Sequence, residues 1–285
     1  MITKIKRYLF SLRSLARINI ALSRGGVGRA ARIIDPATPA TWEFTGFSQN
    51  GEDGILDVLL GRLHAQNRYF VEVGTSDGLE NNTTWLVVVH RYSGLWIEGD
   101  PAAARRARDL FVPLNYGLRV MQMFVTLKSI ATLVNESRFT DPDLLSLDVD
   151  GNDYYFVIAL LNAGLRPKIV VVEYNAAFGP EQKITVPYSD DFGVQNSPGN
   201  SLYYGCSLAG WRGTLEARGY RFVTVDQNGV NAFFVDPNTI DAAFLGAVRG
   251  LAFAESFSHA REYGGTWVEQ FKRIADRPFQ AIPPE

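Results

Sequence analysis

Tyr69-Phe-Val-Glu-Val-Gly-Thr-Ser-Asp-Gly78 sets the pattern for the whole chain: a five-residue apolar run that breaks into a glycine-bearing turn. The spacing predicts a strand over Tyr69–Val73 and a helix from about Asn82 to His90. The figure recurs downstream. Gly94–Glu98 is a second strand, followed by a helix holding Arg105 to Leu110, with Pro101 suited to its first turn. Arg119–Val125 and Leu144–Val149 are a third and fourth, followed by helices over about 127–135 and 152–161. Lys168–Glu173 is the fifth, almost wholly apolar as a strand buried on both faces should be. Alternating strands and helices are the rhythm of a parallel sheet. Arg221–Val225 and Val230–Val235, parted by the hairpin signal Asp226-Gln-Asn-Gly229, predict an antiparallel pair at its end. The expected fold is a single soluble α/β domain with polar chemistry at the carboxyl ends of the strands.

Working outward, Asp53 to Leu63 predicts a helix running to about His64. Before it, residues 1–40 read as a basic amphipathic helix and linker, with the main domain over 41–285. Ile5, Leu9, Leu12, Leu15, Ile18 and Leu22 recur near helical spacing among Lys4, Lys6, Arg7, Arg13, Arg17, Arg24, Arg29 and Arg32, and no acid occurs in the first 32 residues. Such a helix can dock on the domain, on a second subunit as a homo-oligomer contact, or peripherally on an anionic membrane. From Tyr174 to Tyr204 no period is visible, and a connection this long reads as a lid and substrate wall carrying Tyr188, Asp190, Asp191, Asn196, Tyr203 and Tyr204.

With 28 basic and 30 acidic residues, the chain is not built as a general nucleic-acid binder. One cysteine, Cys206, allows no internal disulfide and reads as a small buried residue. No run of 18 apolar residues suggests a membrane span, and Arg13 and Arg17 interrupt any signal-peptide core, so the expected location is cytoplasmic.

The strand ends are acidic: Glu72, Asp77, Glu98, Asp100, Asp148, Asp150, Asp153 and Glu173. Acids there suit ribose hydroxyls, a cationic ligand or a divalent metal rather than phosphate. Gly74 and Gly78 would let the backbone approach a bound group closely, although three-glycine dinucleotide spacing is absent. Glu98 lies 24 residues past Gly74, near the spacing at which an acid accepts ribose hydroxyls. Asp148 and Asp150, two apart, would share a side if the strand held, and with Glu173 could bind Mg²⁺ or another hard cation. The same acids could instead brace loops, because Asp150 and Asn152 are good helix-starting residues. Tyr174 and Asn175 follow an apolar strand where substrate groups are usually placed, or they form a turn and a packed ring. His64, His90 and His259 are the only histidines; the first two sit away from the strand ends, and His259 could fold over the site.

At these residues the chain resembles the class I S-adenosylmethionine-dependent methyltransferases, most closely the FkbM-type branch. The resemblance runs from about Ser48 to Phe234 and rests on Ser48-Gln-Asn-Gly-Glu-Asp53, Glu72-Val-Gly74 with Asp77-Gly78, Ile97-Glu98, Asp148-Val-Asp-Gly-Asn152 and Val172-Glu173. It implies a Rossmann-like sheet of seven strands, the last antiparallel, with helices on both faces. It implies that Glu72, Gly74, Asp77 and Gly78 border the methionyl part of S-adenosylmethionine and that Glu98 takes the ribose, with Asp148 also at the cofactor. Similarity to metal-dependent sugar methyltransferases implies metal ligation by Asp148, Asp150 and Glu173. Where FkbM-type sequences often carry a histidine after strand four, this chain has Gly151-Asn152-Asp153. The expected activity is O-methyl transfer to a hydroxyl of a sugar, glycan precursor or small natural product. Asp148 or Asp150 would take the proton, and Tyr174, Asn175, Tyr188 and Tyr204 would line the acceptor. The rival readings are a non-methylating metal-dependent enzyme or a binding module on the same fold, and a membrane-surface glycan assembly factor recruited by the basic N-terminus.

Overall fold

The computed structural model describes residues 2–192 and 202–283, with side chains from residue 12 onward. Asn196, expected on the substrate wall, lies outside the described residues.

The main sheet is built from β1 (Tyr69–Val73), β2 (Ser93–Glu98), β3 (Leu118–Gln122), β4 (Leu144–Leu147), β5 (Ile169–Glu173), β7 (Arg221–Val225) and β8 (Asn231–Val235). Its order is β3-β2-β1-β4-β5-β8-β7, with β8 antiparallel to both neighbours. This is a Rossmann-like sheet of seven strands with the last antiparallel, the architecture that the resemblance implied. The order reverses between β1 and β4, where an open sheet leaves its ligand crevice.

The alternation of β1 explains the layering. Phe70 faces one core, with α2 (Glu52–Leu60), α3 (Thr84–Val88) and α4 (Pro101–Phe111); Val71 and Val73 face the other, with α5 (Ile130–Glu136), α6 (Asp153–Asn162) and α7 (Leu208–Ala217). The first core also receives Ile18 and Ala21 of the long N-terminal helix α1 (Ile2–Ala31). Cys206 is fully buried, as expected. None of the described helices is long and apolar enough to cross a membrane.

Three local expectations need correction. β4 stops at Leu147, because the Val149 and Gly151 amides turn onto the Asp153 carboxylate at 2.8 Å each and Asp150 takes a left-handed φ of 56°. The helix expected from Asn82 is only α3, because Asn82 and Thr83 are held by Glu72 and Ser146 below them. The segment after Tyr174 is partly structured: a 3-10 turn (Ala176–Phe178) leads to β6 (Ile184–Thr185), which pairs with β9 (Gln280–Ala281) near the C-terminus. Phe178, Val186, Leu202 and Tyr203 close with Ile274 into a third small core. Three short helices, α8 (Ala242–Ala247), α9 (Phe257–Tyr263) and α10 (Trp267–Lys272), complete the C-terminal part.

Candidate functional site

A cleft of about 730 Å³ opens at the carboxyl ends of β1, β2 and β4. Its size is in the range of sites for drug-sized ligands. The floor is Gly74, whose positive φ of 86° and missing side chain let β1 pass β4: a Cβ there would lie 1.6 Å from the Asp148 carbonyl. Such a contact excludes every other residue.

One end of the cleft is set by Glu98, which leaves β2 with its carboxylate pinned by the amides of Ser76 at 2.6 Å and Asp100 at 2.7 Å. Asp100 in turn caps α4 through Ala102 N–H at 2.9 Å. A carboxylate offers about four acceptor positions, so two remain for hydroxyls. Beside it Met123, Phe124 and Val125 form an apolar wall, with the Phe124 ring 62% exposed.

The other end is acidic. Carboxylate oxygens of Asp148, Asp150 and Glu173 lie within 4.8 Å of one another. They meet although the strand geometry expected for Asp148 and Asp150 is absent; the left-handed Asp150 brings its side chain back toward Asp148. Burial raises the Asp148 and Glu173 carboxyls well above the ordinary range, the charges of Asp150 and Asp153 add to both, and the charge of Asp148 adds further to Glu173. Asp150 is raised by burial as well. Glu173 Oε2 is buried without a hydrogen-bond partner. Three convergent carboxylates, one of which carries a buried oxygen without a partner, fit a hard divalent cation, whose ligands stand about 2–2.6 Å from it. Loop bracing falls instead to Asp153, raised by burial to about 6, while Asn152 makes no side-chain cap and ties down Ser189 at 2.7 Å.

The remaining expected residues divide. Tyr188 packs edge-on to Tyr155 and Phe156, accepts from Leu127 N–H at 3.1 Å and donates to Asp190, so it borders the cleft beside Asp191 and Phe192, which line it. Tyr204 is buried under the acidic end, where burial and then the charge of Glu173 raise its hydroxyl well above the ordinary range, and it meets His259 Nε2 at 3.1 Å. Tyr174 and Asn175 are corrections: both are buried and spent on the fold. Tyr174 donates to the Ala254 carbonyl, and Asn175 holds Leu202, Tyr204 and Ala177. Glu72, Asp77 and Gly78 stand back from the lining. Glu72 lies beneath it, bonded to Asn82 and Thr83. Asp77 pairs with the lining Arg106 at 3.7 Å, and Gly78 makes room for Trp96 and Phe111. Asp53 braces the Ser48 motif, accepting from Gly46, Phe47 and Ser48 amides.

Sequence reasoning missed Met123–Val125, Arg106 and Phe156. The first group followed a strand end and was within reach of the same rule that found Glu98; Phe156, one turn into α6, gave no signal. His90 and His64 stay away from the site, as expected.

A scan of protein-family models and a search of curated proteins each found no match. Solved structures do align with the chain. An O-methyltransferase from Bacillus cereus in complex with SAH is similar at TM-score 0.42 and 16% identity, over 77% of this chain and 89% of that one. TomG, an O-methyltransferase from Streptomyces achromogenes involved in tomaymycin synthesis, gives 0.43 and 15% over 75% and 87%. The SAH-bound Podospora anserina methyltransferase PaMTH1 gives 0.40 and 16% over 59% and 71%. None of these likenesses assigns a role to a residue here.

Proposed function

We propose that the chain is an S-adenosylmethionine-dependent O-methyltransferase acting on a hydroxyl of a sugar, glycan precursor or small natural product, with a divalent cation at its acidic end. The observation that carries this reading is one continuous cleft with a pinned carboxylate, Glu98, at one end and the convergent acids Asp148 and Asp150 at the other.

Glu98 would accept the ribose hydroxyls, Phe124 would offer its ring face to the adenine, and the open backbone at Gly74 would admit the methionyl part. Asp148, Asp150 and Glu173 would hold the cation, which supplies charge that lowers the pKa of a coordinated hydroxyl and orients a vicinal diol. Asp148 or Asp150 would take the hydroxyl proton. Tyr204, buried beside Glu173 and bonded to His259, would orient that ligand, as outer-shell partners of metal ligands do. Tyr188 and Phe192 would wall the acceptor side and help exclude water.

Calorimetric titration of S-adenosylmethionine and S-adenosylhomocysteine, with and without Mg²⁺, tests the reading on the wild type and Glu98→Ala. Cofactor binding that weakens in the variant supports it. Mg²⁺ binding with no cofactor binding would instead favour a metal-dependent enzyme of another class, and no binding of either would sink both.

A further inference from the structure

Helix α1 touches the body along one stripe: Ser14, Ile18, Ala21 and Gly25 are buried at spacings of four, three and four. At Gly25 an added Cβ would lie 2.4 Å from the Trp85 ring, so the helix is seated closely. Its opposite side is largely apolar yet uncovered, with Ser23 between Ile20 and Val27. Leu12, Ile20 and Val27 are 46%, 64% and 70% exposed, and Leu15 on one shoulder is 52% exposed. A helix serving only to dock would carry polar residues there.

The other shoulder carries Arg13, Arg17 and Arg24, four and seven residues apart and so on one flank. Arg17 pairs with Glu80 in the loop after β1 and Arg24 donates to the Thr45 and Gly46 carbonyls at 3.1 and 2.7 Å, leaving Arg13 outermost on this flank, whereas Arg29 and Arg32 reach Asp57 on α2. These contacts direct the N-terminal half of α1 toward the cleft end of the sheet.

We infer that α1 is a membrane-surface helix that seats its Leu12–Ile20–Val27 face in an anionic lipid bilayer. An outward apolar stripe with an arginine flank is the pattern that binds interfacially, by buried apolar area plus attraction to anionic headgroups. A second copy of the chain fits this face less well. Twofold antiparallel pairing would set the arginine flanks of both helices against each other, and the acid that reaches this flank, Glu80, relieves Arg17 but not Arg13. The inference stands independently of the proposed activity, because no cleft residue enters it.

Deleting the helix would uncover Trp85 and Phe44, so the test uses the full chain and the exposed positions. Wild type and the double variant Ile20→Glu/Val27→Glu are sedimented with vesicles of phosphatidylcholine, with and without phosphatidylglycerol. The expected result is wild-type binding only to anionic vesicles, weakened by salt and reduced at least about tenfold in the variant. Circular dichroism and the melting temperature show that the variant is folded. No anionic-vesicle binding by wild type, or equal binding by the variant, would overturn the inference. So would a concentration-dependent dimer in ultracentrifugation that the variant abolishes, which would assign the face to a second copy.

Discussion

Glu72 illustrates how a single buried carboxyl can be read from sequence as a ligand and serve another purpose. It is 3% exposed, and burial raises it from an ordinary 4.5 to about 7. Between those values the folded chain holds more proton than the unfolded chain, so its contribution to stability is lost as pH rises through that interval, by about 3 kcal/mol at most. Glu72→Gln has no proton to lose. Urea unfolding at about pH 5 and about pH 8 should therefore show the variant gaining on wild type at the higher pH by up to about that amount. A difference that does not change with pH would mean that Asn82 and Thr83 keep the carboxylate ionised. Tyr204 allows a second test at this scale. Tyr204→Phe keeps the ring and removes the hydroxyl that meets His259 beside Glu173, so Mg²⁺ affinity by calorimetry should fall about tenfold, with cofactor affinity measured without metal unchanged. Unchanged metal affinity would leave Tyr204 and His259 as packing alone. The Tyr204–His259 contact had no sequence signature, since 55 residues and the whole β7–β8 hairpin separate the pair.

Among the elements, β1, β2 and β5 were legible because short apolar runs ending at glycine or acid have few other solutions, and the hairpin turn announced β7 and β8. The end of β4 was not legible. Hydrogen bonds from the Val149 and Gly151 amides to Asp153 compete there with the sheet, and side chain-to-backbone bonds of this kind are invisible to periodicity. The acids nevertheless converge, so the site was found on a premise that the backbone does not satisfy. Gly151 shows how tightly that turn is covered: an added Cβ would lie 2.1 Å from Phe192. Gly151→Ala should push Phe192 and the acceptor wall outward. The expected signature is a raised KM for the acceptor with cofactor affinity retained; loss of cofactor binding as well would mean that the whole turn had moved. The segment over 174–192 defeated sequence reading for a related reason. Its strand β6 finds a partner 96 residues away in β9, and a two-residue ladder leaves no periodic trace.

Across the whole molecule, both ends of the described chain bear on the loops around the cleft. α1 reaches the Glu80 loop on one side, and β9 pairs with β6, a few residues before Ser189 and Phe192, on the other. Ile282 extends the clamp, since it is 5% exposed and meets α7 where a Cβ on Gly210 would lie 2.4 Å from it. Removing residues 280–285 takes away the β9 ladder and the buried Ile282 side chain, whose loss alone is worth about 2–5 kcal/mol by analogy with large-to-small core substitutions. The truncated chain should melt at lower temperature, and limited proteolysis should first cut near residues 187–192, because beyond the buried Val186 that segment is held mainly by the Asn152–Ser189 and Leu127–Tyr188 bonds and the Lys128–Asp190 pair. Cofactor affinity should change less than acceptor affinity, because Glu98, Gly74 and Phe124 belong to the sheet side of the cleft and have no contact with β9. Equal loss of both would mean that the C-terminus holds the sheet itself and not only the wall it supports.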